Sequence, residues 1–323
     1  MKKFLSVCLS IFMMASLFAG CGDTGLGKNQ GADNEEKVKI GVVQYMDHPS
    51  LDTIRDSFKA QMISLGYSED AMEFQSAGGD GVTQSAIVQS FSGDQKDVVV
   101  AIATPTAQAA ANISNQMPVI FSAVSDPIGA GLVESLEAPG GNITGTSDEI
   151  QVELILELAL KINPDLKKLG FIYNTGEANS MTNLAKTKAF CESHSIELIE
   201  TAVTNTNEVQ AAAQVLCTKV EAVFVPNDNT VASAMAALAN TAIQAKVPVY
   251  CGADSMVNDG GFATVGINYE DLGKETANMV DQVLKGKKAG EIPVKVFNSD
   301  LATIINEETA NALGISDYEQ YMK

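Results

Sequence analysis

VVVAIATPTAQAAA, residues 98–111, decides how the rest of the chain is read. Val98 to Ala103 form an apolar run without polar alternation, the texture of a strand covered on both faces. The run stops at Thr104, a proline follows, and an alanine-rich stretch begins. Thr104 is placed to act as N-cap, and Pro105 at the first helical position loses no useful N–H. A buried strand feeding directly into a helix is the repeating unit of a parallel α/β sheet.

The same texture recurs along the chain from Val38. Apolar runs of strand length are Val38–Val43, Val98–Ala103, Val119–Val124, Leu169–Tyr173, Ala222–Val225 and Val247–Cys251. Helical spacing fills the stretches between them. Leu51, Ile54, Phe58, Met62 and Leu65 follow at steps of three and four and close at Gly66, with Ser50 as the expected N-cap. Val152 to Ile162 and Val231 to Ala245 read as helices too. Pro139-Gly140-Gly141-Asn142 interrupts the pattern, and a second series starts at Leu169. Two α/β units of about 110 residues each are expected. A strand at Ala263–Ile267 and a helix at Leu272–Leu284 follow, with a return to the first unit as one reading.

The N-terminus addresses the compartment. Lys2 and Lys3 precede an apolar run, Phe4 to Phe18, which ends in small residues and Cys21. A charged start, a short apolar core and small residues describe an export signal, too short for a stable membrane span. The cysteine after the small pair resembles a bacterial lipoprotein box, with residues 1–20 removed and Cys21 carrying lipid. An ordinary secretory signal with an incidental cysteine is the plainer reading. Residues 21–37 are polar and rich in Gly and Asn, as in a flexible tether. Roughly 285 residues then remain, room for two domains.

Charge narrows the partners. The chain has 21 Lys+Arg against 40 Asp+Glu; without Lys2 and Lys3 the balance is 19 against 40, a formal charge of −21. Arg55 is the only arginine. Nucleic-acid binding needs clustered Lys and Arg for phosphate, and this chain does not supply them. Cys191, Cys217 and Cys251 are an odd set at unrelated spacings, read as buried thiols rather than a disulfide framework. His48 and His194 are the only histidines, and neither has a partner at metal-ligand spacing.

Ligands of open α/β sheets bind beyond the carboxyl ends of the strands. The ends here are Gln44-Tyr45-Met46-Asp47-His48, Thr104-Pro105-Thr106, Ser125-Asp126-Pro127, Asn174 to Ser180, Pro226-Asn227-Asp228-Asn229 and Gly252-Ala253-Asp254-Ser255. All are rich in hydroxyl, amide or carboxylate groups. The helix start at Thr104 offers free N–H groups to a carboxylate, with Ser125 adding a hydroxyl. Asp254 faces it from the second unit as an acceptor for an ammonium. An α-amino acid would then bridge the two units. A merely well-capped helix and a turn-capping Asp254 stand beside that reading. Tyr45 and His48 add flat surfaces near the same mouth, and Asp52 complements the dipole of its helix. Catalysis finds no support: there is no Gly-x-Ser-x-Gly elbow, no phosphate loop opening a helix, and neither histidine sits with a plausible serine and acid partner.

Several stretches together resemble the substrate-binding lipoproteins of an ABC-transporter family whose members include importers of tryptophan, tyrosine or phenylalanine. They are HPSLD (48–52), IATPTAQAAA (102–111), FSAVSDPIGAGLV (121–133), GGNITGTSD (140–148), FIYNTGEANS (171–180), VPNDNTVASA (225–234) and GINYEDLGKETANM (266–279). The resemblance implies a type I periplasmic-binding-protein fold: two doubly wound parallel-sheet lobes joined by a hinge. The expected lobes are residues 38–147 with about 268–296, and 148–267 with about 297–323. It implies a monomeric, non-enzymatic receptor without cofactor or metal, lipid-anchored outside the cell membrane, delivering an amino acid to a permease. Thr104 and Ser125 fall where the ligand carboxylate is held, and Asp254 where the ammonium is received. Tyr45, Asp126, Asn174, Glu177, Asn179 and Asn229 occupy the cleft-facing loops. A receptor for a nucleoside, sugar or signal molecule, or an extracellular α/β hydrolase, are the alternatives.

Overall fold

The structure, a computed structural model, describes residues 38–299 and 301–322; the expected signal segment, Cys21 and the tether lie outside the described residues. The chain first lays down β1 (Ile40–Gln44), α1 (Pro49–Ser64), β2 (Met72–Ser76), α2 (Gly81–Gly93), β3 (Val98–Ile102), α3 (Thr104–Ala110), β4 (Val119–Ser122) and β5 (Ile143–Ser147). It then builds α4 (Val152–Ile162), β6 (Lys168–Asn174), α5 (Ala178–His194), β7 (Glu197–Val203), α6 (Thr206–Leu216), β8 (Ala222–Val225), α7 (Asn229–Ala232), α8 (Met235–Gln244), β9 (Val249–Cys251), α9 (Asp254–Asn258) and β10 (Ala263–Gly266). α10 (Tyr269–Leu284), β11 (Lys295–Val296), β12 (Ala302–Ile305) and α11 (Glu307–Leu313) close it.

Two six-stranded sheets result, ordered β11-β5-β4-β3-β1-β2 and β12-β10-β9-β8-β6-β7. The chain therefore passes between them three times: after β5, after β10 and after β11. The pairings are parallel, from Ile40 opposite Val98 to Gln44 opposite Ile102, except that β12 runs antiparallel to β10 as an edge strand. β1 and β3 are buried at every residue, which is why they read as unbroken apolar runs. β2 and β7 are half-exposed edge strands, so no apolar run announces them.

β5, sequence ITGTS, is a buried strand made largely of hydroxyls and glycine. Its polar groups are paired inside the lobe. Thr144 Oγ1 donates to the Ile292 carbonyl at 2.7 Å. Thr276 Oγ1 on α10 lies 2.8 Å from Ser122 Oγ and 3.0 Å from Thr146 Oγ1. These bonds fasten the returning α10 to β4 and β5. On its other side α10 packs on α1, where Leu51, Ile54, Phe58 and Met62 are buried at the predicted spacing. Each such side chain contributes about 1.5–3 kcal/mol on burial.

Three local expectations need correction. Ala103, not Thr104, is the N-cap of α3; Thr104 and Pro105 are its first two residues. His48, not Ser50, is the N-cap of α1, because Pro49 takes the first helical position. The helix expected over Val231–Ala245 is two, α7 and α8, with a break at Ser233 and Ala234. Cys191, Cys217 and Cys251 are buried free thiols.

Candidate functional site

The strand ends of the two sheets meet across a cleft. A pocket there is lined by residues of both lobes. Its apolar wall is made of small side chains, Ala103, Ala123, Ala232 and Ala253, with Leu51 and Met256. Alanines in place of bulky residues leave the space to a ligand. Ala103 and Ala123 also hold positive φ, 80° and 56°. Such a backbone costs an L-residue on the order of 1–3 kcal/mol and concentrates at functional sites. Here it swings the ends of β3 and β4 so that α3 begins at the cavity.

Asp148, the first residue after β5, lies at a crossover between the lobes and lines the same cavity. Its Oδ1 accepts from Ser125 Oγ at 3.0 Å. Its Oδ2 accepts from Asn227 Nδ2 at 2.7 Å and from Tyr269 O–H at 3.0 Å. Burial pushes the Asp148 carboxyl up to about 6 against the opposing pull of these bonds. Burial and then the neighbouring Asp148 charge hold the Tyr269 phenol well above its ordinary range, so it remains a donor. Each carboxylate oxygen offers about two acceptor positions. The residue's own backbone N–H adds a further bond to the carboxylate.

Three further polar atoms on the cavity residues are buried without any partner: Thr104 Oγ1, Asn179 Oδ1 and His48 Nδ1. Unpaired buried polar groups cost about 1–3 kcal/mol each. All three belong to residues lining one cavity, which makes it the candidate binding site.

The cleft loop after β8 is held by a carboxylate pair. Glu177 accepts from the backbone N–H groups of Asn229 and Thr230, each at 3.0 Å, and from both their side chains. Asp228 accepts from the Asn174 N–H, Ser180 Oγ and the Val231 N–H. Burial and then the adjacent Glu177 charge raise the Asp228 carboxyl. The result is a stiff turn presenting Asn227 and Asn229 to the cavity.

Of the predicted residues, Thr104, Asn179 and Asn229 line the cavity. Ser125 stands behind it, its hydroxyl already committed to Asp148 and Asn227. Glu177 and Asn174 brace the loop, Asn174 Nδ2 donating to Thr230 Oγ1 at 2.8 Å. Tyr45 is half-buried outside the lining, its hydroxyl 3.4 Å from the Gly79 carbonyl; burial, with the Glu177 and Asp228 charges adding, pushes that phenol up to about 12. Asp126 accepts from the Gly129 N–H and, across the cleft, from Thr182 Oγ1 at 3.3 Å. Asp254 is half-buried and accepts the Ser255 N–H at 2.8 Å; from that strand end Ala253 and Met256 line the cavity. Asp52, expected to serve the helix dipole, also accepts from Gln44 Nε2 at 2.8 Å.

Asp148, Asn227 and Tyr269 were not singled out from the sequence. Asp148 follows a strand with no apolar run, so its strand end goes unread. Asn227 was one of several amides in a single loop. Tyr269 opens α10 on the far side of a crossover.

Further contacts join the rims of the cleft. His48 Nε2 lies 3.1 Å from Asn229 Oδ1, and Ser50 Oγ hydrogen-bonds Ser255 Oγ.

Two α/β lobes, a ligand cavity between them and three crossovers define a solute-binding protein of the hinged-trap class. A family model described as ABC transporter substrate binding protein matches residues 39–323. The chain belongs to that family. It is 35% identical to a tyrosine-binding protein of Clostridioides difficile (strain R20291), over 100% of this chain and 96% of that one. A solved structure of an ABC domain in complex with L-Trp from Streptococcus pneumonia is 37% identical, covering 88% of this chain and 98% of that one, with a TM-score of 0.84. The ligand-free, open structure of a Clostridium difficile substrate-binding protein with adhesive properties is also 37% identical, covering 87% and 96%, but has a TM-score of 0.66. At equal identity, the present structure superposes better on the L-Trp complex than on the ligand-free, open structure.

Proposed function

We propose that this protein captures an aromatic α-amino acid in the cleft and hands it to an ABC permease, as a non-enzymatic receptor outside the cell membrane. The tyrosine-binding relative and the L-Trp complex support the ligand class. The observation that carries the reading is the cavity itself: a buried carboxylate, three unpartnered buried polar atoms and an alanine wall. In this reading the ligand ammonium is received by Asp148 and Asn179 Oδ1, with Asp254 as the alternative acceptor. Its carboxylate takes the Thr104 hydroxyl. Residues 38–147 with about 268–296 and residues 148–267 with about 297–323 act as the jaws, and a lipid on Cys21 tethers a monomer. Closure is stabilised by contacts that the ligand makes to both lobes at once.

Calorimetry against the twenty amino acids tests this directly. Binding of Trp, Tyr or Phe with at least tenfold preference over Ala is the expected result. Binding of a sugar or nucleoside with silence toward every amino acid overturns it.

A further inference from the structure

The cavity wall at His48 carries its own chemistry, in a relay that begins at Glu177. Both Glu177 oxygens accept, and one of them takes Asn229 Nδ2. With the amide nitrogen so engaged, Asn229 Oδ1 is the atom left to face His48, and an amide oxygen can only accept. His48 Nε2, 3.1 Å away, must therefore be the donor. In a neutral imidazole that assignment leaves Nδ1 as a lone-pair acceptor. Burial lowers the His48 pKa and keeps the ring neutral.

Nδ1 is buried and has no partner. His48 is 6% exposed and lines the cavity. Although it occupies the cap position of α1, its side chain makes no capping bond to that helix. The acceptor is thus withheld from the protein's own donors, on a residue that lines the cavity.

We propose that His48 Nδ1 reads the ligand's side chain by accepting a hydrogen bond from a ring-borne donor, so that the site takes a phenol or indole amino acid and rejects phenylalanine. Asn229 and Glu177 are positioning residues that set the tautomer. The proposal rests on the cleft being an amino-acid site and adds which aromatic side chains it admits. Phenylalanine would bury Nδ1 unpaired, and loss of a partner to a buried polar group weighs more than loss of contact area.

The test is calorimetry of the wild-type protein with L-Tyr, L-Trp, L-Phe, and the capped analogues O-methyl-L-tyrosine and 1-methyl-L-tryptophan. The better of Tyr and Trp should exceed Phe by at least tenfold, and its capped analogue should lose a similar factor. In His48→Phe, which keeps a flat ring without the acceptor, the ratio to Phe should fall to within about threefold. Tyr, Trp and Phe binding alike to the wild type would overturn the role of His48 and leave the amino-acid reading standing. Failure of every α-amino acid to bind would overturn both. Because the wild-type series needs no variant, poor folding of His48→Phe does not shield the proposal.

Discussion

As the proposed acceptor of the ligand ammonium, Asp148 would set the pH range over which the cleft holds its ligand. Burial lifts its carboxyl from 3.8 to about 6, and an ammonium needs the ionised form. Affinity should be full above about pH 7 and fall as pH drops through 6. With that pKa roughly one molecule in eleven is ionised at pH 5, so the apparent Kd rises about tenfold over its value at pH 8, about 1.4 kcal/mol. In the ligand-free protein the sign is opposite. A carboxyl raised on folding favours the folded state while protonated; that contribution is full below about 3.8 and lost as pH rises to 6, about 3 kcal/mol in all. Among the neighbouring groups the Tyr269 phenol is held protonated, whereas burial raises the Asp228 and Asp254 carboxyls and lowers the His48 pKa, so the slope that belongs to Asp148 is the part that Asp148→Asn removes. Calorimetry at pH 5, 6, 7 and 8 with the tightest amino acid, on wild type and Asp148→Asn, gives the answer. The variant should bind about a hundredfold more weakly and lose the slope centred on about pH 6. A flat wild-type profile would refute the reasoning. So would a slope that survives in Asp148→Asn and vanishes in Asp254→Asn.

Two other outcomes are expected. Thr104→Val removes a hydroxyl with no partner inside the protein; ligand affinity should fall by about 1 kcal/mol while the thermal midpoint of the ligand-free protein stays within about 2 °C. Gly273 sits where α10 crosses α1, and an added Cβ would lie 2.5 Å from the Ile54 carbonyl oxygen and closer still to Ser57 Oγ. Gly273→Ala should destabilise by about 1–3 kcal/mol in urea unfolding, and an unchanged midpoint would mean that the helices separate freely there.

The fold was largely legible in the sequence because its central strands are buried on both faces. β1, β3, β4 and β8 leave unbroken apolar runs, and α1 and α10 keep their period where they pack on each other. Edge strands and β5 left no such mark: β2 and β7 meet solvent, and β5 satisfies hydroxyls within the lobe instead of burying hydrocarbon. The site was legible as a set of polar strand ends, and Thr104, Asn179 and Asn229 do line the cavity. What each of those groups does was not. Glu177 and Ser125 have the composition of ligand contacts, yet their acceptors and donors are taken up by the protein.

By itself, then, the sequence determined that this chain alternates buried strands with helices, that its polar residues gather at strand ends, and that one arginine in an acidic chain leaves phosphate recognition without support. Tertiary structure decided which polar groups stay free. Asp148 reaches the cavity because β5 ends at a crossover, Tyr269 reaches it from the next crossover, and Asn227 crosses the cleft to join them. Whether a hydrogen-bonding group is available to a ligand depends on how many of its partners the fold has already supplied. The partners of Asp148 lie 23, 79 and 121 residues away along the chain, at separations where local pattern carries no information.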